Sequence, residues 1–278
     1  MRIYGLNIIK AIYYHIKTSF ISPLPIRIYF FQVLMRRFGT FKQRLKYDAI
    51  LYPAYAYGMY CAALQAKSLG LKKISSIEFG VGTGNGLIAM EKHAIEIYNL
   101  TGVEFEIYGF DSGKGLPKPT DYRDQSYFWN ESDFVMDQKK LENNLSFSNL
   151  VIGEIKSTID TFTNDKLTFP IGFISFDLDY YSSTLESFKI FKVSENLLLP
   201  RVECYMDDIS STELLVASEG TGVLKAISDF NQGIGEEKKI FKKEGVSHLR
   251  SIPSSWNEKA YVFHSFNHPK YNYSVLDN

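Results

Sequence analysis

The chain has 278 residues, 45% of them apolar, and carries 31 Lys plus Arg against 31 Asp plus Glu. That length buries a full core in one domain with an extension, and the balanced charge gives no global sign of a nucleic-acid partner, so none is expected. Two cysteines, Cys61 and Cys204, stand far apart in apolar contexts without ligand spacing, which reads as reduced buried thiols in a cytoplasmic protein.

The balance hides an asymmetry at the start of the chain. Residues 1–50 hold nine Lys or Arg and a single acid, Asp48, a net of +8 that the remainder offsets. Lys10, Lys17, Pro23, Pro25 and Arg27 interrupt every apolar run well short of the ~20 residues that a spanning helix needs. Transmembrane and cleaved-signal readings are therefore disfavoured. From Ile3 to Phe41 apolar and aromatic residues alternate with basic ones and break at Ser22-Pro23-Leu24-Pro25, which predicts two helices joined by a turn. Such a segment is either a solvated or dimer-packing face of a homo-oligomer, or a surface that meets acidic lipid heads at a membrane periphery.

Tyr52 to Gly70 shows helical periodicity in its later part and stops at a glycine suited to a C-cap. Tyr52, Tyr55 and Tyr57 in this stretch read as core or turn residues or as a lid over a cofactor, with Tyr57 the candidate contact. Beyond Gly70, apolar runs at Ile74–Phe79, Glu104–Phe110, Leu150–Ile152, Ile171–Phe176 and Val202–Met206 alternate with helical patterns at Gly86–Leu100, Glu131–Asn144, Thr184–Asn196 and Gly222–Asn231. This alternation predicts an α/β fold, a Rossmann-like doubly wound, mostly parallel sheet with helices on both faces. Two further strands, Lys238–Val246 and Ala260–Phe266, leave no room for a long crossover helix, so the last strand should run antiparallel and bring the count to seven. The expected division is a basic helical extension over residues 1–70 and the Rossmann-like domain over 71–278. Residues 113–130 form the longest loop, whose Tyr122, Tyr127, Phe128 and Trp129 either cover a ligand or pack.

Ligands of open α/β sheets bind at the carboxyl ends of the strands, and four of these ends carry acids. After the first stands Glu78-Phe-Gly80-Val-Gly82-Thr83-Gly84-Asn85. A nicotinamide fingerprint needs a third glycine where Asn85 or Leu87 stands, and no Gly-Lys-Ser/Thr follows for a phosphate loop. The E-x-G-x-G-x-G pattern instead suits S-adenosylmethionine: glycines admit its amino-acid end and the acid orients its ammonium. After the second strand, Asp111-Ser112 offers a carboxylate to ribose hydroxyls. After the fourth and fifth stand Asp177-Leu-Asp179 and Asp207-Asp208. Four carboxylates at one sheet edge repel and raise one another's pKa unless a cation neutralises them, and a hard divalent ion such as Mg²⁺ is the economical partner.

The ordered series EFGVGTGNG, GFDSGKGLP, DLDYYSST and MDD, spread over residues 74–209, resembles the macrocin O-methyltransferase-like family of metal-dependent class I methyltransferases that act on sugar hydroxyls. The resemblance implies S-adenosylmethionine against Gly80, Gly82 and Gly84, flanked by Thr83 and Asn85, with Asp111 and Ser112 at its ribose. It further implies Mg²⁺ on Asp177, Asp207 and Asp208, Asp179 as general base beside Asp177, and a small saccharide-like acceptor. Two readings stand against it: a metal-dependent glycosyltransferase that uses the D-x-D pair, and a non-catalytic binding protein that kept the fold.

Overall fold

The structure is a computed structural model and describes residues 26–209, 212–215 and 218–275. Its strands are β1 (Lys73–Phe79), β2 (Glu104–Asp111), β3 (Asn149–Ile152), β4 (Ile171–Phe176), β5 (Leu198–Met206), β6 (Lys238–Lys242) and β7 (Ala260–Ser265). They form one seven-stranded sheet in the order β3-β2-β1-β4-β5-β7-β6, parallel except where β7 runs antiparallel to both of its neighbours. The doubly wound α/β expectation, with its antiparallel last strand, is met. Parallel neighbours need helical crossovers, and these cover both faces and leave the central strands buried on two sides. β4 is accordingly buried along its whole length, whereas in the edge strand β3 only Val151 is buried.

One face carries α3 (Pro53–Ser68) and α4 (Asn85–Thr101); the other carries α6 (Ile155–Asp165), α7 (Tyr181–Ser187) and α8 (Gly222–Gly233). Side chains alternate across the sheet, so Ile74 of β1 joins the first core while Ile77 and Phe79 join the second. By the same alternation Glu78 and Ser175 face α3, two polar residues on an apolar surface. Phe41, Leu45, Met59 and Ala62 share a cluster with Ile74, Phe173 and Trp256, so the first core continues from the sheet into α3 and the segment before it.

The segment before α3 folds as α1 (Ile26–Phe38) and α2 (Phe41–Lys46), the latter opened by a capping box between Thr40 and Gln43. The expected first helix and the turn at Ser22–Pro25 lie outside the described residues. No helix among the described residues is long and apolar enough to cross a membrane. Three other expectations change. The helix expected over Glu131–Asn144 shrinks to α5 (Gln138–Glu142), because Ser132 and Phe134 take left-handed φ values of 68° and 65° and the chain there pairs with Leu116. The helix expected over Thr184–Asn196 begins at Tyr181 and tightens into 3₁₀ turns from Phe188. The strand expected over Lys238–Val246 ends at Lys242, and α9 (Val246–Leu249) follows. Sequence reading missed α6, whose buried Ile159 and Phe162 with Ile155 make a short stripe at helical spacing.

The segment joining α2 to α3 is clamped from two sides. His93 of α4 places Nε2 2.8 Å from the Leu51 carbonyl and its ring edge against Phe41, while its Nδ1 is buried without a partner. Burial lowers its pKa from 6.5 to about 4. The unfolded chain thus takes up this proton at a higher pH than the folded one, so the contribution of neutral His93 is present above 6.5 and is lost as pH falls toward 4. Between pH 7 and pH 5 the wild type should lose on the order of 2 kcal/mol more than His93→Gln in parallel urea titrations. Equal pH dependence of the two proteins would remove the assignment.

Candidate active site

Register levels the strand ends. Phe79 lies opposite Phe110 and Phe176, and Phe176 opposite Met206, so Gly80, Asp111, Asp177 and Asp207 all follow at one edge. They open on a cavity of about 1010 Å³, at the upper end for small-molecule sites and roomy enough for two reactants. Tyr52, the glycine loop, the loop after β2, the start of α6, the start of α7 and the acids after β5 make its walls.

The glycines of the first loop have separate reasons. A Cβ at Gly80 would fall 1.6 Å from the Asp177 carbonyl oxygen, because the chain leaves β1 and β4 in contact, with Asp177 N–H donating to Phe79 O at 2.9 Å. At Gly82, with φ at +50°, a Cβ would meet nothing within 4 Å, so the loop backbone is bare toward the cavity. Gly84, expected against the cofactor, does not line the cavity, and its missing side chain makes room for Leu141 of α5. Thr83 and Asn85 do line it, bonded to each other at 3.0 Å.

Glu78 sits at the cavity wall, buried, with one oxygen held and one free. Ser175 Oγ donates to Tyr55 Oη at 2.7 Å, and Tyr55 O–H donates to Glu78 Oε1 at 2.9 Å. Glu78 Oε2 is buried with no partner. Burial, then the Asp111 charge, push this carboxyl up to about 8 against the lowering hydrogen bonds from Tyr55 O–H and the Leu87 backbone N–H. Tyr55 thus anchors the acid, and Tyr52 lines the cavity. Tyr57, the expected contact, does not line the cavity. Residues two apart on a helix point about 200° apart. Tyr57 therefore turns from the cavity, its ring 5.4 Å from that of Trp256 and 4.8 Å from the Lys243 ammonium.

Asp111 accepts from Gly82 N–H at 2.9 Å and from Gly113 N–H at 2.7 Å, one on each oxygen. It ties the two loops together and keeps a lone pair on each oxygen for a hydroxyl donor. Ser112 shapes the turn, donating to Gly115 O at 2.9 Å and accepting from Lys114 N–H at 3.0 Å. The long loop that follows is pinned to α7: buried Asp124 accepts from Thr120 N–H and Ser182 N–H, both at 2.8 Å, and the Arg123 guanidinium lies 4.2 Å over the Tyr181 ring. Trp129 and Phe134 form wall, whereas Tyr122 and Tyr127 face solvent.

Among the described residues one acidic cluster could hold a metal ion. Asp177, Asp179 and Asp208 present carboxylate oxygens within 4.8 Å of one another. Asp208 Oδ2 is oriented by Leu178 N–H at 3.1 Å and Asp179 N–H at 2.8 Å, and Asp179 holds a left-handed φ of 59° to present that amide. Burial first, then Asp208, raises Asp177 well above the carboxylate range. The same causes hold Asp179 at about 10, and burial with Asp207 lifts Asp208 to about 6. Asp207, expected among the ligands, stands aside from this trio although it lines the cavity. Its Oδ1 accepts from Tyr205 O–H at 2.7 Å and lies 3.1 Å from Lys259 Nζ. The chain kinks at Asp208, whose φ of −89° and ψ of 20° are non-helical, so the tandem acids part company there. Lys259, a buried lysine beside the cluster, was missed; nothing near it in sequence signals a site. His248, His264 and His268 do not line the cavity.

Two features fit the groups that the sequence implies. An oxygen-only trio of close carboxylates suits a hard divalent cation, and a buried carboxylate oxygen without a partner beside a bare glycine loop suits an ammonium.

No family model matches the chain, and no curated protein matches it. Solved structures similar to it include the calicheamicin methyltransferase CalS11, with 17% identity and a TM-score of 0.49 over 91% of this chain and 90% of that one. Apo CalS11, named a TDP-rhamnose 3'-O-methyltransferase, matches with 16% identity and a TM-score of 0.41 over 91% of each chain. The plantazolicin methyltransferase BpumL in complex with SAH matches with 12% identity and a TM-score of 0.36 over 89% of this chain and 93% of that one. At such scores the reading of the site rests on its own residues.

Proposed function

We infer that this chain is an S-adenosylmethionine-dependent methyltransferase that acts on a hydroxyl oxygen of a small saccharide-like acceptor with the help of a divalent cation, Mg²⁺ most naturally. The observation that carries the reading is the free Glu78 oxygen at the bare glycine loop, in the same cavity as the Asp177, Asp179 and Asp208 cluster. Glu78 would accept from the donor's ammonium and Asp111 from its ribose hydroxyls, with the Gly80–Gly82 backbone beneath. S-adenosylmethionine supplies a sulfonium methyl for direct displacement. A cation on the trio would neutralise the carboxylates, allow Asp179 to ionise and polarise the acceptor hydroxyl.

The protein's own groups then have distinct tasks. With a cation sharing its charge, Asp179 would take the acceptor proton through its second oxygen, from a backbone held at a left-handed φ of 59°. Asp208 holds the Asp179 amide, and Tyr55 with Ser175 holds Glu78. Trp129 and Phe134 give one wall of the cavity an aromatic lining.

Calorimetry tests the assignment. Wild type should bind S-adenosylmethionine and its demethylated product but not a nucleotide sugar, and Glu78→Gln should bind the donor about tenfold or more weakly, since a charged hydrogen bond to the ammonium is lost. Binding of a nucleotide sugar with no binding of S-adenosylmethionine would replace this reading by the glycosyltransferase one.

A further inference from the structure

We propose that α1 is a docking surface for an anionic lipid bilayer. Its Phe30, Val33, Leu34 and Phe38 recur at helical spacing and stand in solvent, Phe30 at 74% and Phe38 at 75% exposure. An apolar stripe in water is the unusual observation here, because a helix normally buries its apolar side. The side turned to the body is held elsewhere: the Phe31 ring meets Tyr47 edge-on at 4.6 Å, and Gln32 Nε2 donates to Tyr47 O at 2.9 Å. That anchoring leaves the stripe facing outward.

Charge identifies the occupant. Residues 1–47 contain nine Lys or Arg and no acid. Arg27, Arg36 and Arg37 are exposed on α1 itself, and Lys42 and Lys46 are exposed on α2. Arginines in and beside an aromatic stripe suit the boundary between acyl chains and anionic headgroups, where the stems lie in the apolar layer and the guanidinium groups meet phosphate. A second copy fits less well. A two-fold contact through α1 would set the same arginines against themselves. A 13-residue helix, about 20 Å long, also falls far short of the roughly 800 Å² per partner that a stable dimer buries. A bilayer needs no such area from one helix, because each basic residue held near an anionic leaflet strengthens binding about fivefold.

Vesicle sedimentation of the full chain tests it, with phosphatidylcholine alone and with phosphatidylcholine mixed with phosphatidylglycerol. The chain should pellet with the mixed vesicles and not with the neutral ones, and added salt should release it. Arg27→Gln/Arg36→Gln/Arg37→Gln and Phe30→Ser/Phe38→Ser should each weaken binding about tenfold or more with unchanged melting temperature, because all five side chains are exposed. Equal pelleting on both vesicle types, none on either, or wild-type binding by both variants would overturn the proposal. A dimer in sedimentation equilibrium that Phe30→Ser/Phe38→Ser dissolves would overturn it in favour of a second copy.

Discussion

Asp208→Asn should lower methyl transfer about a thousandfold or more while S-adenosylhomocysteine still binds within a few-fold of wild type. The amide oxygen can still accept from Leu178 N–H and Asp179 N–H, so the turn keeps its shape while one charge leaves the cluster. Two readouts besides activity check this. Mg²⁺ or Mn²⁺ should raise the melting temperature of wild type and not of the variant, by the linkage between binding and stability. Without cation the variant should melt no higher than wild type, since Asp177 and Asp179 hold their protons there and removing the Asp208 charge relieves little repulsion. Asp207→Asn is the contrast: its partners are Tyr205 and Lys259, so it should keep the cation-induced rise and lose less than about tenfold in turnover. The reverse pattern would return the ligand set to Asp177, Asp207 and Asp208.

The second large effect is on stability. Arg250→Ala should cost about 3–5 kcal/mol in denaturant unfolding, because it leaves Asp48 buried without its cation. Both side chains are only 8% exposed. Arg250 also donates to the Leu45 carbonyl, and its guanidinium lies 5.0 Å over the Trp256 ring, whose Nε1 donates to Asp48 at 3.2 Å. Burial raises the Asp48 pKa despite the Arg250 charge, so this acid depends on its partner. Arg250→Lys should recover only part of the loss, since Nη2 makes both bonds while the planar guanidinium lies over the Trp256 ring, a contact that an ammonium on a shorter stem does not reproduce. Asp48→Asn/Arg250→Ala should be milder than Arg250→Ala alone. A loss below about 1 kcal/mol for Arg250→Ala would show the pair to be solvated and dispensable.

These two predictions draw on different kinds of information. Asp177, Asp179 and Asp208 were visible as candidates in the sequence, because each follows an apolar run and strands of a doubly wound sheet end on one edge. That Asp179 rather than Asp207 clusters with Asp177 and Asp208 was not, because it depends on the direction of each side chain in a tight turn. The Arg250–Asp48 clamp was invisible, since partners about two hundred positions apart leave no local pattern. The helix expected at Glu131–Asn144 failed for a related reason: pairing with Leu116 overrides the local preference of those residues.

The glycine loop shows the boundary between the two. Sequence by itself determined the fold class and the loop, since period, glycine spacing and strand-end acids are properties of neighbours along the chain. Only the tertiary structure decided what each glycine is for. Gly82 is bare to the cavity, Gly80 yields to the Asp177 backbone and Gly84 to Leu141, because such contacts form between segments that meet only when the sheet closes. The same holds for Tyr55 and Tyr57. Identical in type and two positions apart, they take opposite sides of one helix, and the sheet beneath α3 selects which of them reaches Glu78.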